Sequence, residues 1–352
     1  MENKKKRNPK LFLHIGLHKT GTSSIQESLI QNKNNLVKEG ILYITNLKIF
    51  DNILNIDFFN INLVNNCITE LENISKSKKN TIKKIIISNE AFSGNPFNGY
   101  KKLKIIVKYL SEISKRFETK IILYLRRQDE LIESLYIQSI KGGKTALFND
   151  FIKTLKYDSF NWSNYIKIWM QYFSKNQLIV RMYDKKNFKD GNIVTDFACV
   201  LDSKLLKNDT TFYEENKGYS QSSLEVAQML NQYLNEFEKR YVRHLLEKID
   251  TKKRHISSTF YTYKERQKVL AYFEKCNAEL LDKFPFICSN EYFEIDVERN
   301  GPNSRYLEKS KDYDNVISNL ISSLINENIT LRYKTKPSLK NIYKMLVYYI
   351  KQ

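Results

Sequence analysis

Cysteine, histidine and proline are scarce in this chain: 352 residues include four, four and five of them. The cysteines, Cys67, Cys199, Cys276 and Cys288, contain no CxxC pair. That argues against a disulfide framework or a zinc site and favours a reducing compartment. No two of His14, His18, His244 and His255 stand at metal-ligand spacing, so no metal is expected. No internal repeat is present, which excludes a solenoid or array. Long apolar runs are missing too: nowhere do about 18 apolar residues follow one another. The basic start MENKKKRNPK meets only a short apolar stretch before His18 and Lys19. A membrane span and a signal-peptide core are not expected, and a soluble cytoplasmic protein is.

Acidic residues are in deficit. The 58 Lys+Arg against 39 Asp+Glu leave a net charge of +19. Such a surplus favours anionic partners, whether nucleotides, acidic glycans, nucleic acid or anionic lipid. The chain is also crowded with Lys, Asn and Ile, so composition alone does not choose among them. The tail 334–352 mixes lysines with Ile342, Met345, Leu346, Val347 and Ile350. It reads as a basic amphipathic helix on a membrane surface or as an ordinary terminal helix.

What is present is enough apolar sequence, 41% of residues, for one large domain or two ordinary ones. Strand-like runs alternate with helical patterns. Leu11 to Ile15 reads as a buried strand and Thr22 to Asn32 as the helix behind it. A short helix ends at Gly40 before strand Ile41–Ile44, and KKIIISNE holds a β-branched run from Ile85 to Ile87. A helix from Tyr100 to Arg116 leads to strand KIILYLR, then a helix from Asp129 to Ile140 stops at Gly142 and Gly143. LIVRMYD, from Leu178, is a further strand. Buried runs between helices imply a parallel sheet covered on both faces, an α/β fold. From Ser220 the spacing turns helical. The expected division is a basic tail over 1–10, an α/β domain over 11–294 whose 220–294 part is helical, and an extension over 295–352.

The segment Gly16–Ser24 follows the first strand, where an α/β sheet presents helix N-termini to ligands. Gly16 and Gly21 permit a tight turn with close backbone approach. Thr20, Thr22, Ser23 and Ser24 add hydroxyls and helix-start N–H donors, and Lys19 adds a mobile charge. The two glycines have the spacing of the nucleoside-triphosphatase pattern GxxxxGK[ST], but Thr22 stands where its lysine would be. The strand Ile85–Ile87 runs into Ser88, Asn89 and Glu90 rather than a Mg²⁺-binding Asp. Magnesium-dependent ATP hydrolysis is therefore disfavoured, while binding of a phosphate-bearing nucleotide is not.

The stretch HIGLHKTGTSSIQ resembles the 5′-phosphosulfate loop of sulfotransferases that use 3′-phosphoadenosine 5′-phosphosulfate (PAPS), especially a bacterial branch associated with surface-polysaccharide synthesis. That loop has the form Lys-x-Gly-Thr-[ST], met by Lys19, Gly21, Thr22 and Ser23. The resemblance implies that Lys19 contacts the oxygen bridging phosphate and sulfate, that PAP is the product, and that no divalent ion takes part. It also implies an arginine at a strand end and a serine eight positions on for the 3′-phosphate, a spacing that Arg126 and Ser134 have. Arg127 would pair with Leu135, which cannot serve. Lys217 and Gly218 are similar to the family's late nucleotide-binding loop. Glycan members often place a glutamate where Glu90 stands, making it the candidate base for the acceptor hydroxyl, with His18 as rival. The expected reaction is sulfuryl transfer to a carbohydrate hydroxyl. Two other classes stay open: a kinase-like phosphotransferase, and a basic nucleic-acid binder for which no recognition motif exists.

Overall fold

The computed structural model describes residues 8–45, 48–55, 57–77, 82–207, 219–250, 260–285, 287, 290–293 and 316–323. It is an α/β protein built on a five-stranded, wholly parallel sheet. The strands are β1 (Lys10–His14), β2 (Ile41–Ile44), β3 (Lys84–Ser88), β4 (Thr119–Leu125) and β5 (Leu178–Met182), in the order β2-β3-β1-β4-β5. Strands β1 to β4 carry the aliphatic and aromatic runs expected of sheet residues buried on both faces, whereas β5 alternates buried and half-buried positions. Phe12, Tyr43, Ile86, Ile122 and Tyr124 lie in one core with Ile25 and Leu29 of the helix Thr22–Gln31 and with Phe197, Ala198 and Leu201. Their alternate neighbours, among them Leu11, Leu13, Ile85, Ile121 and Leu123, are just as buried.

The strand order fixes where a ligand would sit. From β1 the chain moves outward to β2, returns through β3, then crosses past β1 to β4 and β5. The connections after β1 and β4 thus run in opposite directions, which opens a crevice beyond their carboxyl ends. The segments after β3, β1 and β4 are consecutive along that edge.

The chain forms two compact units. The first holds the described residues of 1–131, 155–215 and 268–294, with all five strands. The second holds those of 132–154, 216–267 and 295–352. The helix Gln128–Lys141 contributes residues to both, and the helical stretch expected over 220–294 is shared between them. The second unit is organised around Tyr136, Phe148, Phe151, Phe260 and Tyr261. In it the buried Glu133 accepts two hydrogen bonds from Arg266, at 2.9 and 3.0 Å, and others from the Phe260 and Tyr261 N–H groups. Such pairing is what a buried charge requires.

The Asn-rich stretch 47–80, whose composition gives no reading, contains the helices Lys48–Asn55 and Ile61–Ser77. Val64, Cys67 and Leu71 supply the buried stripe of the second of these. Among the described residues no helix is long and apolar enough to cross a membrane. The terminal segments 1–7 and 324–352 lie outside the described residues.

Candidate active site

Between β1 and the helix Thr22–Gln31 the chain makes a tight loop. Lys19 adopts φ 64° and Gly21 φ 74°, both left-handed. A non-glycine residue in that region is uncommon, and such strain concentrates at functional sites. Gly21 is also the residue before the helix; no side chain caps that end and no acidic residue occupies its first turn. The N-terminal N–H groups and the positive dipole end therefore face an anion-receptive position. A Cβ on Gly21 would meet Tyr183 at 3.1 Å.

The loop hydroxyls divide by direction. Thr20 is buried and its hydroxyl donates to the Leu17 carbonyl at 2.6 Å, closing the loop on itself. Thr22 is buried, and its Oγ1 has no partner in the structure. Ser23 is exposed and Ser24 half-buried.

The structure separates the two arginines after β4. Arg126 is half-buried, and its Nη1 donates to the Lys19 carbonyl at 3.0 Å. Its guanidinium lies 5.4 Å from the Tyr183 ring centroid and its Nε 3.4 Å from Glu130. Trp162 donates to the Arg126 carbonyl at 2.8 Å, fixing the strand end. Arg127 is instead consumed inside the fold: it grips Asp129 through Nε at 2.8 Å and Nη2 at 3.0 Å, and its Nη1 reaches the Tyr292 carbonyl at 3.3 Å.

After β3 a short turn, Glu90–Ser93, is capped by Asn89, whose side chain accepts from the Ala91 N–H at 2.9 Å. Glu90 is thereby set beside the loop. Burial raises its pKa, opposed by the charge of Lys19 and a hydrogen bond from the Lys19 backbone. His18 Nδ1 stands 3.8 Å from the Glu90 carboxylate and 3.5 Å from Ser93 Oγ. Burial, and secondarily the Lys19 charge, lowers the His18 pKa to about 4. The imidazole is consequently neutral near pH 7, and its contact with Glu90 is not an ion pair there.

Four expected residues, His18, Lys19, Glu90 and Arg126, thus come together at one edge of the first unit, with Gly21–Ser24 beside them. Ser134 is half-buried and belongs to the second unit. Lys217 and Gly218 lie outside the described residues. Sequence reasoning missed Tyr183, which stands just past β5 at the carboxyl edge of the sheet, against Arg126 and Gly21. That position in LIVRMYD is the signal that would have found it. It also missed Tyr100, held at φ 55° with a buried, unpartnered hydroxyl and under the influence of the Glu90 charge.

No family model matches the chain. An uncharacterized protein of Archaeoglobus fulgidus is 32% identical over 219 residues. The match covers 60% of this chain and 58% of that protein, so the chain spans less than two thirds of its relative's length.

Proposed function

We propose that the protein is a PAPS-dependent O-sulfotransferase acting on a carbohydrate hydroxyl, a cytoplasmic enzyme whose acceptor is a surface polysaccharide or its precursor. The observation that carries the reading is the arrangement around Lys19. Three motifs far apart in sequence meet at this residue: its own loop, Arg126 on its carbonyl, and Glu90 on its backbone N–H.

In this reading the open helix end at Gly21–Ser24 receives the 5′-phosphate and Arg126 the 3′-phosphate, using guanidinium donors that suit phosphate oxygens. The acceptor oxygen attacks sulfur, the bond from sulfur to the phosphate oxygen breaks, and PAP departs. Glu90 takes the hydroxyl proton, and Lys19 stabilises charge on the departing oxygen. The chain's contribution is chiefly positioning and fixed charge. The loop supports phosphate binding because its helix end carries neither a capping side chain nor a first-turn carboxylate to occupy it. Ser134 lies in the second unit, and the reading rests on first-unit residues alone.

A kinase-like phosphotransferase is less well supported. Thr22 stands where a nucleoside-triphosphatase loop has its lysine, and β3 leads to Ser88, Asn89 and Glu90. Fold alone does not decide between these chemistries. Isothermal titration with PAP and with ATP plus Mg²⁺ does: tight PAP binding with no ATP preference is expected, and ATP preference would sink the sulfotransferase reading. Transfer from radiolabelled PAPS to glycans of the producing cell then identifies the acceptor.

A further inference from the structure

Two buried polar atoms without partners converge on one point under the loop. Thr22 Oγ1 lies 2.1 Å, and His14 Nε2 3.1 Å, from where a Cβ on Gly16 would stand. Neither atom has a hydrogen-bond partner in the structure, and both side chains are more than nine-tenths buried. A buried polar atom left unpaired is costly, so a small side-chain adjustment that brings the two into a direct bond would relieve both.

The other side of the His14 ring decides which way such a bond runs. His14 Nδ1 is 2.8 Å from Ser88 Oγ. Gln26 Nε2 donates to the Ser88 carbonyl at 3.0 Å, which identifies that atom as the amide nitrogen, and it reaches Ser88 Oγ at 3.3 Å. The Ser88 hydroxyl accepts from Gln26 and keeps its own proton, which it can donate to Nδ1. The ring meets Tyr124 edge to face and Phe197 at a tilt, at centroid distances of 6.1 and 5.1 Å.

We infer that His14 is a positioning residue whose Nε2–H orients the Thr22 hydroxyl, so that this hydroxyl donates into the anion cradle of the loop. Every bond then points one way: Gln26 to Ser88, Ser88 to His14 Nδ1, His14 Nε2 to Thr22, and Thr22 to the bound oxygen. The opposite tautomer would take the Thr22 proton and turn a lone pair towards the anion. Burial holds the ring neutral, with a pKa lowered to about 3, so the relay does not depend on pH through the ordinary working range. The inference rests on the reading of Gly16–Ser24 as an anion cradle.

Nitrogen-15 NMR of the full histidine-labelled chain, without ligand, reads the tautomer directly, with the His14→Gln spectrum assigning the resonance. An Nε2–H ring is expected, moving towards Nδ1–H in Ser88→Ala. PAP affinity should fall about tenfold in Thr22→Val, the order of one hydrogen bond, and persist in Thr22→Ser. Adding Ser88→Ala to Thr22→Val should cost nothing further, because both act through one hydroxyl. An Nδ1–H ring in the wild type, or additive losses, would overturn the relay. Failure of the wild type to bind PAP would instead remove the sulfotransferase reading. The tautomer then still decides the relay: an Nε2 resonance unmoved by Thr22→Val overturns it.

Discussion

The guanidinium of Arg126 holds the main-chain carbonyl of Lys19 at 3.0 Å, across 107 residues of sequence. The end of β4 is thereby tied to the loop after β1, on the two sides of the crevice that the strand order opens. Its neighbour faces a different task, since Arg127 serves Asp129 and Tyr292 inside the fold.

Substituting the two arginines should therefore give opposite results. Arg127→Ala removes the guanidinium that grips the fully buried Asp129 through two hydrogen bonds. Loss of one member of a buried pair costs about 3–5 kcal/mol, so the melting temperature should fall steeply. Arg126→Ala should fold with little loss and bind PAP far more weakly. Thermal melts and titration calorimetry on both variants check this, and equal losses of PAP affinity would contradict the assignment.

For the base, Glu90→Gln should reduce turnover by at least about a hundredfold while leaving PAP affinity intact. A base works deprotonated, so activity should rise with pH through the Glu90 pKa, which burial places above its ordinary value. That limb should vanish in Glu90→Gln and survive in His18→Asn. Near-normal turnover of Glu90→Gln would transfer the role to His18.

Much of this arrangement is legible in the sequence because it is local. The isoleucine run before Ser88, the glycines that end helices at Gly40 and Gly142, and the loop Gly16–Ser24 each carry their structure in adjacent residues. Choosing Arg126 over Arg127 depends on spacing alone, and the structure keeps the two distinct. The direction of the Thr22 hydroxyl is not legible, since the His14 ring beside it is set by Ser88, 74 residues on at the end of β3. Thr20 looks like a ligand hydroxyl by position, yet it spends its proton on Leu17. The stretch 47–80 hides two helices because asparagine, a weak helix former, outweighs the apolar stripe.

Two histidines link stability to pH. His14 and His18 have folded pKa values lowered to about 3 and about 4, against 6.5 when unfolded. The unfolded chain therefore binds protons that the folded chain refuses. Stability from both is complete above the unfolded value and is lost as pH falls through 6.5 towards 4 and 3. Chemical denaturation should show falling stability over that window, with a shallower dependence in His18→Asn. An unchanged slope in that variant would mean that His18 is accessible to protons in the fold.

The loop glycines should fail for different reasons. At Gly21 an alanine must adopt φ 74° and place its Cβ 3.1 Å from Tyr183, which costs about 1–2 kcal/mol for the backbone alone. At Gly16 no left-handed conformation is required. There the added carbon would lie 2.1 Å from Thr22 Oγ1, inside any tolerable contact, and would drive the hydroxyl and the first helical turn away. Gly16→Ala should thus lose PAP binding even where it folds, whereas Gly21→Ala should lose stability first and regain measurable binding at low temperature. Melting curves and PAP titrations at two temperatures separate the outcomes. If Gly16→Ala bound PAP normally, the first turn of the helix would not be part of the phosphate site.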